Sequence, residues 1–297
     1  MTDDEKRGRL PRHRRVAESE RPPMVLTERD CELLRMVNAC RALRTDQLEA
    51  LFFGSRSTAQ FRLAKLFHHE YLNRHFLSVV SDAPARSPAI YTLGKRGAQV
   101  LVSRFGYERG DLRLPKGGTL GWHLLEHLLA INSFRVAITL AARAPGFQLS
   151  SWLDETVFRA KPDYVQIQDR SGRLRKKPVF PDGYFVLSTP RGTARFFLEV
   201  DRGTEELSRF SPQIAVYEAY VASGQYQARF QTKSLRILVV ASSEKRSASL
   251  QRVVARMGGD GKYWFATLDQ VNSQTVLTAP IWRQLGENRL QPLIGGG

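Results

Sequence analysis

The chain has 297 residues, 42% of them hydrophobic and 25% charged, which is enough for two domains with cores of their own. Its 45 Lys and Arg against 29 Asp and Glu leave a formal net charge of +16, an excess that favours a polyanionic partner, most often nucleic acid, with an anionic membrane surface the weaker option. The two cysteines, Cys31 and Cys40, exclude a disulfide framework and a cysteine-based zinc site; with no signal-peptide pattern and no apolar run near 18 residues, a cytoplasmic protein with no membrane partner is expected.

Residues 1–23 hold KRGRLPRHRR and three prolines but almost no apolar side chain, so the arm is expected to be disordered alone. It reads either as an arm for a DNA minor groove and phosphates or as a solubilising tail. From residue 24 the pattern changes. Thr27 before Glu28, Arg29 and Asp30 predicts a helix N-cap, and Leu33, Leu34, Val37 and Cys40 follow at helical spacing. A second short helix starts at Thr45-Asp46, and a third, capped by Ser55 or Ser57, takes Phe61, Leu63, Ala64, Leu66 and Phe67 as its apolar positions. Two strand-like runs, 71–80 and 89–93, and a helix over 95–105 complete the segment. Three helices and a two-stranded wing closing on Tyr91-Thr92-Leu93-Gly94-Lys95-Arg96-Gly97 resemble a winged helix-turn-helix. That resemblance implies double-stranded DNA as partner, read by the third helix through Arg56, Ser57, Thr58, Gln60, Arg62 and Lys65. Arg74, His75 and Arg86 would contact backbone or minor groove from the wing.

Residues 108–118 read as a linker, and Thr119 caps a long helix over 120–144. Inside it, His123-Leu124-Leu125-Glu126-His127 matches the H-x-x-E-H pattern of inverted zinc proteases, but no third ligand is evident. Glu126 has a second use, as a carboxylate facing a metal site; His127 and Asn132 either hold such a site by hydrogen bonds or are satisfied core polar groups. Short β-like runs are expected at 148–152 and 155–159. The basic stretch 169–177 is either a solvated hairpin tip or a phosphate-backbone contact.

The next stretch, PDGYFVLSTPRGTARFFLEVD at 181–201, predicts two strands around a type I turn within a four-residue loop, Thr189-Pro190-Arg191-Gly192. Counting back from that loop sets Asp182 opposite Glu199, and alternation puts Glu199 and Asp201 on one face. Three carboxylates at one hairpin end suit Mg²⁺; the alternative is a solvated hairpin with incidental acids. A helix over about 212–223 carries Gln213 and Tyr217, a continuous apolar strand lies at 235–241, an amphipathic basic helix at 244–257, and a final strand at 263–268.

Pro181-Asp182, then Glu199-Val200-Asp201, then Gln213-x-x-x-Tyr217 is similar to the PD-(D/E)xK nuclease fold. The resemblance implies Mg²⁺ on Asp182 and Glu199, with Asp201, Glu126, Gln213 and Tyr217 completing a catalytic set, except that Asp201 falls where the motif has its lysine. Lys177, Arg202 and Arg209 are candidates to replace that cation. Over 25–285 the chain also resembles the replication-relaxation family of plasmid and mobile-element proteins, through Leu26-Thr27-Glu28-Arg29-Asp30, His127, Asn132, Pro181-Asp182-Gly183 and the FLEVDRGTE run at 197–205. The fold class expected is α/β (α+β): a basic arm (1–23), a winged helix-turn-helix (24–107), a linker (108–118), a mixed-sheet nuclease-like domain (119–285) and a tail (286–297). The resemblance implies action in replication, mobilisation or transcriptional regulation, with a relaxase or replication proteins as partners and the nuclease-like domain a degenerate scaffold; because winged helices often pair on two-fold sites, a homodimer is also expected. A Mg²⁺-dependent DNA endonuclease is the alternative.

Overall fold

The computed structural model describes residues 11–76, 88–114, 122–168, 171–204 and 206–295, with the backbone alone at 122 and 123. It has helices and mixed sheets, an α/β chain, in two compact units, Met1–Asn132 and Ser133–Gly297.

In the first unit, helix α1 (Glu28–Cys40) starts at the expected cap: the Thr27 side chain accepts from Asp30 N while Asp30 Oδ2 accepts from Thr27 N at 2.8 Å. Strand β1 (Leu43–Arg44), helices α2 (Thr45–Phe52) and α3 (Arg56–His68), strands β2 (Leu72–Phe76) and β3 (Ala89–Leu93) and helix α4 (Lys95–Phe105) follow. The strands form an antiparallel sheet in the order β1-β3-β2. Ser55 is the cap of α3, accepting from Thr58 N. Gly97 is required by a close approach, because a Cβ there would lie 2.3 Å from Tyr71 O. Helix α5 (Trp122–Ala141) crosses the division between the units. Its Leu125 and Leu129 pack with Ala42 and Ile90 in the first unit, and Asn132 Nδ2 donates to the carbonyls of Cys40 and Ala42. Asn132 is therefore a satisfied core amide. The window Leu124–Ala141 is long and apolar enough to cross a membrane, and 44% of it is buried in the structure.

Two expectations for this unit change. Residues 11–25 are not loose but run along α3 and β2. Arg15 donates to the carbonyls of Phe67 and Leu72, Arg21 pairs with Glu70 at 2.7 Å, and the carbonyls of Pro22, Pro23 and Val25 engage His69, Lys65 and Arg62. Guanidiniums of Arg12, Arg15 and Arg74 stand over Phe76 and Phe67. Aromatic faces and the open carbonyls at a helix end give these cations seats that composition does not reveal. The second change is Phe61, assigned to the core but 64% exposed.

The second unit is built on a seven-stranded sheet in the order β12-β11-β10-β9-β8-β7-β4. In chain order its elements are β4 (Gln148–Asp154), α6 (Glu155–Ala160), the separate hairpin β5 (Tyr164–Gln168) and β6 (Leu174–Pro178), β7 (Gly183–Thr189), β8 (Gly192–Asp201), α7 (Phe210–Ala222), α8 (Gln225–Phe230), β9 (Arg236–Ala241), α9 (Glu244–Arg256), β10 (Tyr263–Thr267), β11 (Trp282–Gln284) and β12 (Leu290–Gln291). The β8-β9-β10 pairs are parallel and the others antiparallel. Residues 155–159 are helical rather than extended, because Asp154 caps them through Thr156 N and Phe158 reaches the core. Beyond β10, expected as the last strand, β11 and β12 extend the sheet, and Arg236 holds the carbonyl of Leu293, so 290–293 are not a tail.

One sheet face stacks Phe185 on Phe196 at 4.6 Å, with Phe134 of α5 and Trp152 against them. The other face packs Phe197, Ile237 and Val239 against Tyr217 and Tyr220 of α7 and Leu250 and Val254 of α9. Helices on both faces require β9 to be apolar from Ile237 to Ala241.

The buried ion pair of the first unit gives a direct test. Asp30 is 0% exposed and receives Arg62 Nε at 2.9 Å. Burial pushes its pKa up, but hydrogen bonds from Arg62 and Thr27 outweigh that and hold it below the ordinary 3.8. A depressed carboxylate stabilises the fold above its unfolded pKa and loses that contribution as pH falls through the folded value. Arg62→Ala is expected to cost roughly 3–5 kcal/mol in urea unfolding at pH 7, by stranding a buried charge. Asp30→Asn should remove the part of the stability loss on acidification that falls below about pH 4.

Candidate functional site

The site grows from the register of β7 and β8. Gly183 pairs with Leu198, so the next position outward sets Asp182 across from Glu199, as expected; Asp182 Oδ2 accepts from Val200 N at 2.8 Å. The loop is tighter than expected: Thr189 pairs with Gly192, leaving Pro190-Arg191 as a two-residue turn, with the register unchanged.

Alternation along β8 sends Glu199 into the layer of α7 together with Phe197. There the Tyr217 hydroxyl donates to the Glu199 carboxylate. Gln213 Nε2, one helical turn earlier, donates to Tyr217 Oη at 2.7 Å and to the carbonyl of Phe180 at 3.2 Å. Asp182, Glu199, Gln213 and Tyr217 thus form one connected group. Burial raises the Glu199 pKa well above the carboxylate range and the Asp182 charge raises it further, against the lowering effect of the Tyr217 and Gln213 hydrogen bonds. Burial and the same carboxylate raise Tyr217. Two adjacent carboxylates, one resisting ionisation, can hold a proton between them or offer oxygens to a cation.

Asp201 does not join the group. Although it shares the face of Glu199, its carboxylate receives Arg246 Nε at 2.7 Å and Nη2 at 2.8 Å, a bidentate pair with α9, and accepts from Gly203 N at 2.8 Å. Gly203 has φ +74°, a left-handed backbone conformation that suits a glycine. Among the described residues no three His, Cys, Asp or Glu side chains gather, so the expected trio reduces to a pair. The cation beside Asp201 comes from Arg246, which sequence reasoning did not single out; its only local signal was a basic residue in the first turn of a helix capped by Ser243. Glu126 belongs to the first unit and the acidic pair to the second.

On α3, Arg56, Ser57, Thr58 and Gln60 are exposed over the first turns. Arg62 and Lys65 are partly buried and engaged, Arg62 with Asp30 and Val25 O, Lys65 with Pro23 O. Arg74 donates to the carbonyls of Pro11 and Arg12. Arg86 lies outside the described residues. The exposed Phe61 has Lys65 Nζ 4.8 Å above its ring.

A raised carboxyl pKa stabilises the fold below its unfolded value and loses that contribution as pH climbs through the folded one. Glu199→Gln, which keeps an oxygen for Tyr217, is therefore expected to raise the melting temperature in metal-free buffer at pH 8 and to change it little at pH 4. Differential scanning fluorimetry across that range checks both ends.

A family model described as Replication-relaxation matches residues 34–233, a span that runs from α1 through α8 and takes in Asp182, Glu199, Gln213 and Tyr217. No curated protein and no solved structure matches the chain. With two thirds of its length matched, the chain belongs to the replication-relaxation family, and with that membership goes a role in plasmid or mobile-element replication.

Proposed function

We propose that the chain is a cytoplasmic, sequence-directed double-stranded DNA-binding protein of a plasmid or mobile element. In this reading it acts in replication, in mobilisation as a relaxosome accessory, or in transcriptional regulation. The observation that carries it is the exposed Arg56-Ser57-Thr58-Gln60 surface at the N-terminal end of α3. It stands in an order of three helices and an antiparallel sheet that suits a winged helix-turn-helix, on a chain of net charge +16. Arginine can take guanine edges and glutamine adenine, while serine and threonine accept either. A relaxase or replication protein, and a second copy on a two-fold site, are the partners this reading expects.

In an electrophoretic shift series on duplex DNA, Arg56→Ala with Gln60→Ala should weaken binding by about tenfold or more and flatten its salt dependence. Unchanged binding would overturn the choice of helix.

The second unit suits a PD-(D/E)xK-like scaffold whose cleavage set is incomplete, with Asp201 held by Arg246 where a lysine belongs. The assembled Asp182–Glu199–Gln213–Tyr217 group favours one other reading, a Mg²⁺-dependent DNA endonuclease. The donors fit a hard divalent ion: Asp182 and Glu199 would hold it, and it would relieve their mutual repulsion. Bound there, Mg²⁺ would polarise a phosphate and activate water. Tyr217 and Gln213 would orient Glu199. Supercoiled plasmid incubated with the protein and Mg²⁺ or Mn²⁺ should stay intact; nicking that disappears in Asp182→Ala and Glu199→Ala would replace the scaffold reading with the enzyme.

A further inference from the structure

The second unit holds a cavity of about 930 Å³ apart from the acidic pair. Its walls are the β5-β6 hairpin, the turn at Leu207–Arg209 with the start of α7, and the last turns of α9. Helix α7 separates the two places: Ser211 and Ala215 line the cavity, while Gln213 and Tyr217 turn toward Glu199.

The hairpin register accounts for the charge of this recess. Val165 pairs with Lys177 and Ile167 with Arg175, and residues directly opposed on antiparallel strands share a face. Val165 is buried in the aromatic core and Ile167 packs against it, so this is the hairpin face turned toward the recess, and the exposed Arg175 and Lys177 stand at its mouth. Arg256 joins them from α9. The lining therefore holds three cations and, among the described residues, no carboxylate, while Ile167, Leu207 and Val253 give it an apolar wall. Ser208, also in the lining, donates its hydroxyl to Glu206 at 3.1 Å.

An anion with a flat apolar body matches that combination, and the volume is that of a small-ligand site. We propose that the cavity binds a nucleotide, its phosphate toward Arg175, Lys177 and Arg256 and its base against the apolar wall, and that the nucleotide belongs to a single strand of nucleic acid. The opposite face of the hairpin favours a strand over a free nucleotide. There Lys176 stands 4.5 Å above the ring of Tyr164, itself 44% exposed, so a cation and an aromatic platform continue beyond the cavity. This contact is independent of the duplex reading made for α3.

Fluorescence anisotropy of the full chain with a labelled mixed-sequence DNA strand of about 15 nucleotides tests the proposal, with a duplex measured in parallel. Ala215→Trp fills the recess without changing charge, and Lys177→Glu with Arg256→Glu reverses two exposed cations. Each is expected to weaken strand binding by about tenfold or more, with thermal melting confirming the fold. Ala215→Trp should leave duplex binding as it was. Lys233→Glu with Lys245→Glu, the same charge change elsewhere, should cost no more than about threefold. Failure of the wild type to bind the strand, wild-type strand binding by either cavity variant, or an equal loss in the control would overturn the proposal. Competition with deoxyadenosine monophosphate separates the two sources: no displacement at millimolar concentration supports the strand, whereas full displacement overturns it in favour of free nucleotide. A loss of duplex binding in the α3 variant with strand binding intact would leave each reading to its own measurement.

Discussion

Strand β8 runs through the seven-stranded sheet with helices on both faces, so its side chains go alternately to the Phe134 layer and to the α7–α9 layer. A carboxylate on such a strand keeps only partial access to solvent. Glu199 enters a layer of aromatic rings and is tolerated because Tyr217 donates to it and Gln213 fixes Tyr217 in turn. Asp182 increases the electrostatic cost of ionising Glu199 but is itself fixed by a backbone N–H of the same strand. The group is thus a strained electrostatic arrangement held by local hydrogen bonds, and its protonation is tied to the packing of α7.

The parts of this arrangement that sequence reveals are those set by short-range counting. A tight turn defines a hairpin register, which put Asp182 across from Glu199 even though the turn proved shorter than expected. An i to i+4 spacing on a helix brings Gln213 to Tyr217, and the Thr27–Asp30 cap is written within four consecutive residues. The continuous apolar run of β9 marks an inner parallel strand for the same reason.

The rest depends on partners far away in the chain. Arg56 and Arg62 are both basic residues of α3, yet one faces outward and the other reaches a buried aspartate 32 positions earlier. Asp201 has the right alternation for the acidic pair but meets Arg246, 45 positions later, through the docking of α9. Phe61 is apolar, but it lies on the side of α3 opposite the buried Ala59, Leu63, Leu66 and Phe67, so it faces away from the core. Residues 155–160 carry β-branched character and still turn helical, because one capping aspartate and one buried phenylalanine decide a segment that short.

The arm at 11–25 has a consequence for the order of events in folding. Its anchors lie 37 to 64 positions downstream, on α3, β2 and the turn between them, so during synthesis it leaves the ribosome well before any surface exists to receive it. Contacts closed over such long loops are made late, after α3 and β2 have formed. Interactions absent from a folding transition state govern escape from the native state rather than entry into it. Arginines that seat an arm in this way are expected to slow unfolding of the first unit more than they speed its folding.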